Sequence, residues 1–301
     1  MIKIKKMSVM TIHKKVIQIS ALVLTLAGGV PAAQVEPGAH AMLLATEQSI
    51  VRVDGAGTVL WKREHGLSRD LQLLENGNIL FPFNTLNGAE KICGVREINP
   101  QGGTVWEYTM LGEYVISCER LKDGNTLVGA SNLGAVLIVT PAGRVAHSVK
   151  VRGSHSKHST TIVRQLADGH ILVVEEDVRY VTEYRLDGTV AWEYQMPFAP
   201  FGAERLANGN TMISGRDGLI EVTPGKAVVW QLTRDDVAAM GPRWFAGFRI
   251  RPDGNIVIAN PGGTVPVYEV NRARQVVWQS PLAKNDLPPI HGLFLLPDAE
   301  N

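Results

Sequence analysis

One short unit recurs along nearly the whole chain and narrows what it can fold into more than any other feature. Its copies centre on Leu74-Glu75-Asn76-Gly77-Asn78, Leu121-Lys122-Asp123-Gly124-Asn125, Leu166-Ala167-Asp168-Gly169-His170, Leu206-Ala207-Asn208-Gly209-Asn210 and Arg251-Pro252-Asp253-Gly254-Asn255. Apolar, β-branched stretches flank these copies, so each predicts a strand, a tight turn and a strand. The Asn-Gly or Asp-Gly pair suits a type I′ turn, which needs positive φ at both central residues. The five turn glycines lie 47, 45, 40 and 45 residues apart, a spacing typical of one four-stranded propeller blade.

A second motif alternates with the first. It reads Gly57-Thr58-Val59-Leu60-Trp61, Gly103-Thr104-Val105-Trp106, Gly143-Arg144-Val145-Ala146-His147, Gly188-Thr189-Val190-Ala191-Trp192, Ala227-Val228-Val229-Trp230 and Gln275-Val276-Val277-Trp278. Six copies predict six blades, each with its third strand at Ile50–Asp54, Val95–Asn99, Val136–Thr140, Val181–Arg185, Leu219–Thr223 or Val267–Asn271. A Trp at one register suits packing between neighbouring blades; His147 stands in for it once, and that blade should pack less well. The expected fold is all-β, a six-bladed β-propeller of four-stranded antiparallel blades. Ala41–Thr46 matches a second strand and Gly292–Leu296 a first one, so the start of the chain should complete the blade that its end begins, leaving no open sheet edge. Helical periodicity is absent, apart from one short turn expected near Asp235–Met240.

Residues 1–33 read differently. Lys3, Lys5, Lys6, Lys14 and Lys15 precede an apolar run, Val16–Val30, that ends in small residues, the pattern of a secretory signal peptide cleaved after Ala32 or Ala33. The run is shorter than the roughly 20 residues that span a bilayer, so no stable membrane span is expected after cleavage. The expectation is a periplasmic or secreted protein whose residues 34–301 form a single propeller domain. Taking those five lysines from 30 basic residues leaves 25 against 29 acidic ones, a balance that argues against a nucleic-acid partner. An oxidising compartment would permit Cys93 and Cys118 to pair, although their places in the repeat favour two buried thiols.

Candidate functional residues come from the repeat alignment. Five residues before each turn glycine stand Gln72, Glu119, Arg164, Glu204 and Arg249, with Phe294 in the last copy. If these line the central channel, the successive Glu, Arg, Glu and Arg should neutralise one another in a channel-filling network. The loops entering each innermost strand add Arg69, Tyr114, His155, His158, Phe201, Arg243, Trp244 and His291. Cationic and aromatic groups converging over a channel mouth would suit a small anionic or aromatic ligand. His155 and His158 have no third spaced ligand, so no metal is expected. No nucleotide-binding, nucleophile-elbow or zinc-protease motif occurs.

The Arg-Leu-x-Asn-Gly-Asn-Thr stretch, combined with the Gly-x-Val-Val-Trp type of stretch, resembles the PQQ-binding-like (quinoprotein-like) β-propeller repeat proteins of bacteria over about residues 40–299. More loosely it resembles the propeller of bacterial arylsulfate sulfotransferases. Quinoprotein dehydrogenases typically carry adjacent cysteines beside the cofactor, and Cys93 and Cys118 are not adjacent, so no cofactor is expected. The sulfotransferase resemblance would give His155 and His158 catalytic roles, but the paired His-His-Asp pattern is missing. These residues lead us to expect an exported binding or protein-interaction scaffold that uses the loop face and channel mouth. The alternative is a periplasmic enzyme acting on an anionic or aryl substrate through His155, His158 or His291 with Arg243.

Overall fold

The computed structural model describes residues 39–87, 90–112, 114–153, 156 and 158–297; the leader expected over residues 1–33 lies outside them. Blade 1 contains β1 (Met42–Thr46), β2 (Ser49–Val53) and β3 (Val59–Glu64). Blade 2 runs through β4 (Gln72–Leu73), β5 (Ile79–Asn87), β6 (Glu90–Ile98) and β7 (Thr104–Leu111). Blade 3 holds β8 (Val115–Arg120), β9 (Thr126–Ala130), β10 (Ala135–Val139) and β11 (Val145–Lys150). Blade 4 follows with β12 (Ile162–Gln165), β13 (Ile171–Glu175), β14 (Tyr180–Tyr184) and β15 (Val190–Gln195). Blade 5 has β16 (Pro200–Arg205), β17 (Thr211–Gly215), β18 (Gly218–Val222) and β19 (Val228–Thr233), and blade 6 has β20 (Phe248–Ile250), β21 (Ile256–Ala259), β22 (Val267–Val270) and β23 (Val276–Gln279). The last strand, β24 (Ile290–Leu295), returns to blade 1 and gives the order β24-β1-β2-β3. Six four-stranded antiparallel sheets thus make a six-bladed propeller, and the expected closure is present, with Leu43 opposite Phe294 and Ala45 opposite Gly292.

The recurring turns are not type I′. Positive φ falls on Gly77, Gly124, Gly169, Gly209 and Gly254 but on none of the Asn or Asp residues before them. The Gly77 N–H bonds the Leu74 carbonyl and the Leu74 N–H bonds the Asn78 carbonyl. That is a type I turn followed by a left-handed glycine, the usual three-residue hairpin loop. The Asn76 side chain caps it by accepting the Asn78 N–H at 3.0 Å. In the turns before the outermost strands the left-handed position is filled by Gly57, Gly102, Gly143 and Gly188, then by Lys226 and Arg274, both at φ 68°. The one expected helical turn is a 3-10 turn at Ala238–Met240.

Alternation along the strands puts apolar side chains on both faces of each blade, so the core is six layers rather than one mass. Leu80, Val95, Val115 and Val128 pack between blades 2 and 3; Leu172, Val181, Ile213 and Ile220 pack between blades 4 and 5. Cys93 and Cys118 are free and share the layer between blades 2 and 3. Burial pushes the Cys93 thiol up to about 11 and the Cys118 thiol well above the usual range.

The repeated Trp does more than fill these layers. The indole N–H of Trp106, Trp192 and Trp230 donates to a carbonyl in a turn of the next blade, at Pro141, Pro224 and Arg272, each at 2.9 Å. An arginine covers each ring: Arg120 over Trp106, Arg205 over Trp192 and Arg272 over Trp230, at 4.7, 5.3 and 4.7 Å. Each arginine also grips the glutamate opposite that Trp, so that Arg120 pairs with Glu97, Arg205 with Glu183 and Arg272 with Glu221. Between blades 6 and 1, His40 takes the arginine's place, bonding Glu269 at 2.5 Å and meeting Trp278 edge-on. His147 keeps part of the link, because its Nε2 donates to the Leu186 carbonyl at 2.6 Å; the blade it belongs to is therefore tied to its neighbour despite the lost indole.

Two outcomes follow from these contacts. Trp192→Ala removes ring, hydrogen bond and arginine platform together and should cost about 3 kcal/mol, read as a lower urea midpoint. Lys226→Gly relieves a left-handed conformation worth roughly 1–2 kcal/mol while adding roughly 0.4–1 kcal/mol of unfolded-chain entropy; its midpoint should rise slightly.

Candidate functional site

In the innermost strands successive side chains alternate between an interblade layer and the axis. Cys118 faces the layer between blades 2 and 3, and its neighbour Glu119 faces the axis. The same alternation carries Gln72, Glu119, Arg164, Glu204, Arg249 and Phe294 into one axial cavity of about 330 Å³.

The charges there do not alternate into mutual pairs as the register suggested. Arg164 reaches past blade 3 to Asp70 and grips it with two hydrogen bonds of 2.7 Å. Asp70 also accepts Ser117 Oγ at 2.7 Å and the Cys118 N–H at 3.2 Å, and Ser117 Oγ accepts the Val163 N–H at 2.9 Å. Burial would raise the Asp70 carboxyl, but Arg164 and Ser117 overcome it and hold the group below its ordinary value. Gln72 and Glu119 each accept a main-chain N–H of the next innermost strand, from Arg120 at 2.8 Å and Gln165 at 2.6 Å. Blades 2, 3 and 4 therefore form a wall whose polar groups are answered by protein.

Blades 5, 6 and 1 form the other wall, which is built differently. Two residues before Glu204, Arg249 and Phe294 stand Gly202, Gly247 and Gly292, all lining the cavity. A Cβ on Gly292 would sit 2.5 Å from the Arg69 carbonyl, and one on Gly247 2.7 Å from the His291 carbonyl, so the strands meet backbone to backbone here. Arg249 donates one hydrogen bond, to the carbonyl of Phe248 beside it in sequence, and has no carboxylate partner among the described residues. Burial and the Arg164 charge lower its pKa, with Asp70 and Glu204 acting against them. The Glu204 carboxyl is raised by burial, against the pull of Arg249 and Arg164, and makes no hydrogen bond among the described residues.

At the loop end of the axis Arg69 marks the limit of the cavity. Its Nη1 donates to Glu176 Oε2 at 3.0 Å, and its guanidinium lies over the Phe201 ring at 5.2 Å. His158 Nδ1 lies 2.9 Å from the same Glu176 oxygen, and Thr161 Oγ1 donates to it at 3.4 Å. His291 stacks on Phe201 and approaches Glu47 at 3.3 Å, while its Nδ1 is buried without a hydrogen-bond partner among the described residues. Burial lowers the His291 pKa and favours the neutral ring. At the opposite end, a groove bounded by Leu74, Lys122 and Ala167 shares Gln72, Glu119 and Leu166 with the cavity, so the cavity continues towards the hairpin turns.

Of the eight loop residues expected at the mouth, Arg69, His158, Phe201 and His291 come together. Trp244 packs against the apolar layer that holds Phe201 and sits under Arg216 at 5.8 Å. Arg243 is turned to the Asn260 loop, with its N–H bonded to Asn260 Oδ1 at 3.2 Å. The Tyr114 carbonyl accepts the Ser131 N–H beside blade 3, and His155 lies outside the described residues. Asp70, Ser117 and Glu176 lie off the repeat register that marks the channel positions. Asp70 could have been found as the one acid two places before a channel position, and Glu176 in the acidic run Glu175-Glu176-Asp177.

Asp168, His170 and Glu183 bring three possible metal-ligand atoms within 4.8 Å of one another. His170 Nδ1 bonds Glu183 Oε1 at 2.6 Å and Arg205 holds the other Glu183 oxygen at 2.8 Å. The cluster is the blade 4 copy of the glutamate clasp described above, in which Asn78, Asn210 and Asn255 occupy the place of His170.

No protein-family model and no curated protein matches the sequence. Among solved structures, the chain is similar to a protein of unknown function from Bacteroides caccae, with a TM-score of 0.70 and 18% identity over 86% of this chain and 99% of that one. It is also similar to a streptogramin B lyase, with a TM-score of 0.58 and 15% identity over 83% of this chain and 87% of that one. A virginiamycin B lyase from Staphylococcus aureus matches with a TM-score of 0.56 and 12% identity over 82% of this chain and 81% of that one. At these identities the likeness establishes a β-propeller fold and nothing finer.

The cross-blade carboxylate gives a signed test. Asp70→Asn leaves Arg164 buried without its counter-charge and should cost about 3–5 kcal/mol at neutral pH. Because the folded pKa of Asp70 lies below the ordinary 3.8, the stabilisation is complete above that value and is lost as pH falls through the folded pKa. The gap between variant and wild type in chemical denaturation should therefore close in strong acid.

Proposed function

We propose that the protein is a binding module for a small anion held in the axial cavity. The observation that supports it most is Arg249, a half-buried guanidinium on the cavity wall whose one hydrogen bond among the described residues goes to its neighbour's carbonyl. Arginine stays charged in proteins, and a cation drawn partly out of water gains from a close counter-charge. A carboxylate, sulfate or phosphate oxygen pair would fit its planar fork, and Phe294, 5.9 Å from the Arg249 guanidinium, offers an apolar surface beside it. Arg69 lies across the loop end, so the hairpin-turn end is the freer approach. The lysine-rich, apolar leader pattern supports an exported location for this activity, and the blade motifs support a kinship with the quinoprotein-like repeat propellers they resemble.

Catalysis at the loop end is the second reading, favoured by the neutral, half-unpartnered His291 stacked on Phe201 beside Arg69 and His158. The lyases named above indicate that such a ring can carry an enzyme, and they assign no reaction to this chain.

Calorimetric titration with acetate, benzoate, sulfate, phosphate and 4-nitrophenyl sulfate separates the two. The binding reading expects saturable binding of at least one of these anions, weakened about tenfold or more by Arg249→Gln and unaffected by His291→Ala. It is overturned if none binds or if Arg249→Gln binds as well as the wild type. Release of 4-nitrophenol that His291→Ala abolishes would establish the second reading instead.

A further inference from the structure

Among the described residues, Arg249 is one of two charged groups on the cavity wall with neither an ion pair nor a hydrogen bond to another strand. Glu204, on the neighbouring innermost strand and at the same register, is the other; its carboxylate makes no hydrogen bond and no ion pair among the described residues, with Arg249 or with anything else. The remaining charges on the wall are spoken for: Arg164 by Asp70, Glu119 by the Gln165 N–H and Arg205 by Glu183. A simple anion would satisfy Arg249 but bring a second negative charge towards Glu204, which would then have to take up a proton. A ligand carrying both signs answers both groups at once.

We infer that the axial cavity takes a small zwitterion of the amino-acid type, with its carboxylate on Arg249 and its ammonium group on Glu204. The inference rests on the anion-site reading above and names the class of its ligand. The dimensions agree, because a cavity of about 330 Å³ lies at the small end of ligand sites. The remaining wall offers apolar surface to a side chain: Phe294 lies beside Arg249, and Ile162, Ala203 and Leu293 also line the space. Proton linkage gives the binding mode a sign. An ammonium group favours ionised Glu204, so the zwitterion releases protons on binding and binds more tightly as pH rises through the Glu204 titration; a carboxylate lacking the amine does the reverse.

The test compares matched ligands on the whole protein. Alanine, leucine and phenylalanine are titrated alongside the corresponding acids without the amine (propanoate, 4-methylpentanoate and 3-phenylpropanoate) and the corresponding amines without the carboxylate. The inference expects at least one amino acid to bind about tenfold or more tightly than both of its analogues, with net proton release measured across buffers of different ionisation heat. Glu204→Gln should remove the preference for the amine while sparing the acids, and Arg249→Gln should weaken amino acids and acids alike. If the acids bind as tightly as the amino acids, with proton uptake, the zwitterion is overturned and the anion site stands. If neither acids nor amino acids bind, both readings fall. The ligand series on the unmodified protein decides this even where a variant does not fold.

Discussion

Four of the six junctions between blades share one contact: a ring N–H on the outermost strand of one blade donates to a turn carbonyl of the next. Apolar layers hold blades face to face, but burial is non-directional and would tolerate sliding or splaying. The hydrogen bonds from Trp106, His147, Trp192 and Trp230 fix the outer rims. Arginine platforms and buried glutamates then lock each indole in place in three of these four junctions.

Much of the architecture could be read from the chain because its determinants are local and repeated. A glycine that must adopt positive φ, an Asn or Asp that caps the turn and a Trp at a fixed offset each recur five times along the chain and report strand boundaries blade after blade. Even there the turn chemistry was misjudged, since a central Asn suits both a type I′ turn and a type I turn followed by a left-handed glycine. His147 shows the limit of reading a substitution by size alone: imidazole lacks the bulk of indole but has the N–H that the junction needs.

The axial cavity was legible in its membership and not in its wiring. Alternation placed Gln72, Glu119, Arg164, Glu204, Arg249 and Phe294 on the axis, since period two is fixed by the backbone. Which charge meets which depends on side-chain reach across the ring, where Arg164 passes its immediate neighbours to find Asp70, 94 residues away in sequence. The mouth was harder still. Loop residues are placed by the loops' own hydrogen bonds, such as the Asn260 contact that draws Arg243 aside, and no periodicity encodes them. The cavity is thus divided into a half whose charges are paired or hydrogen-bonded across strands and a half that holds Glu204 and Arg249 without such partners among the described residues.

The strand that brings Phe294 and Gly292 to that cavity is also the one that zips the two ends of the chain together. While β24 is unpaired the cavity lacks one of its six sides. A molecule seated on the axis would therefore act as a rivet, drawing the equilibrium between sprung and sealed circles towards the sealed form by mass action. Opening the seam would in turn loosen the hold on such a molecule, so the pairing of the two chain ends and occupancy of the axis would each strengthen the other.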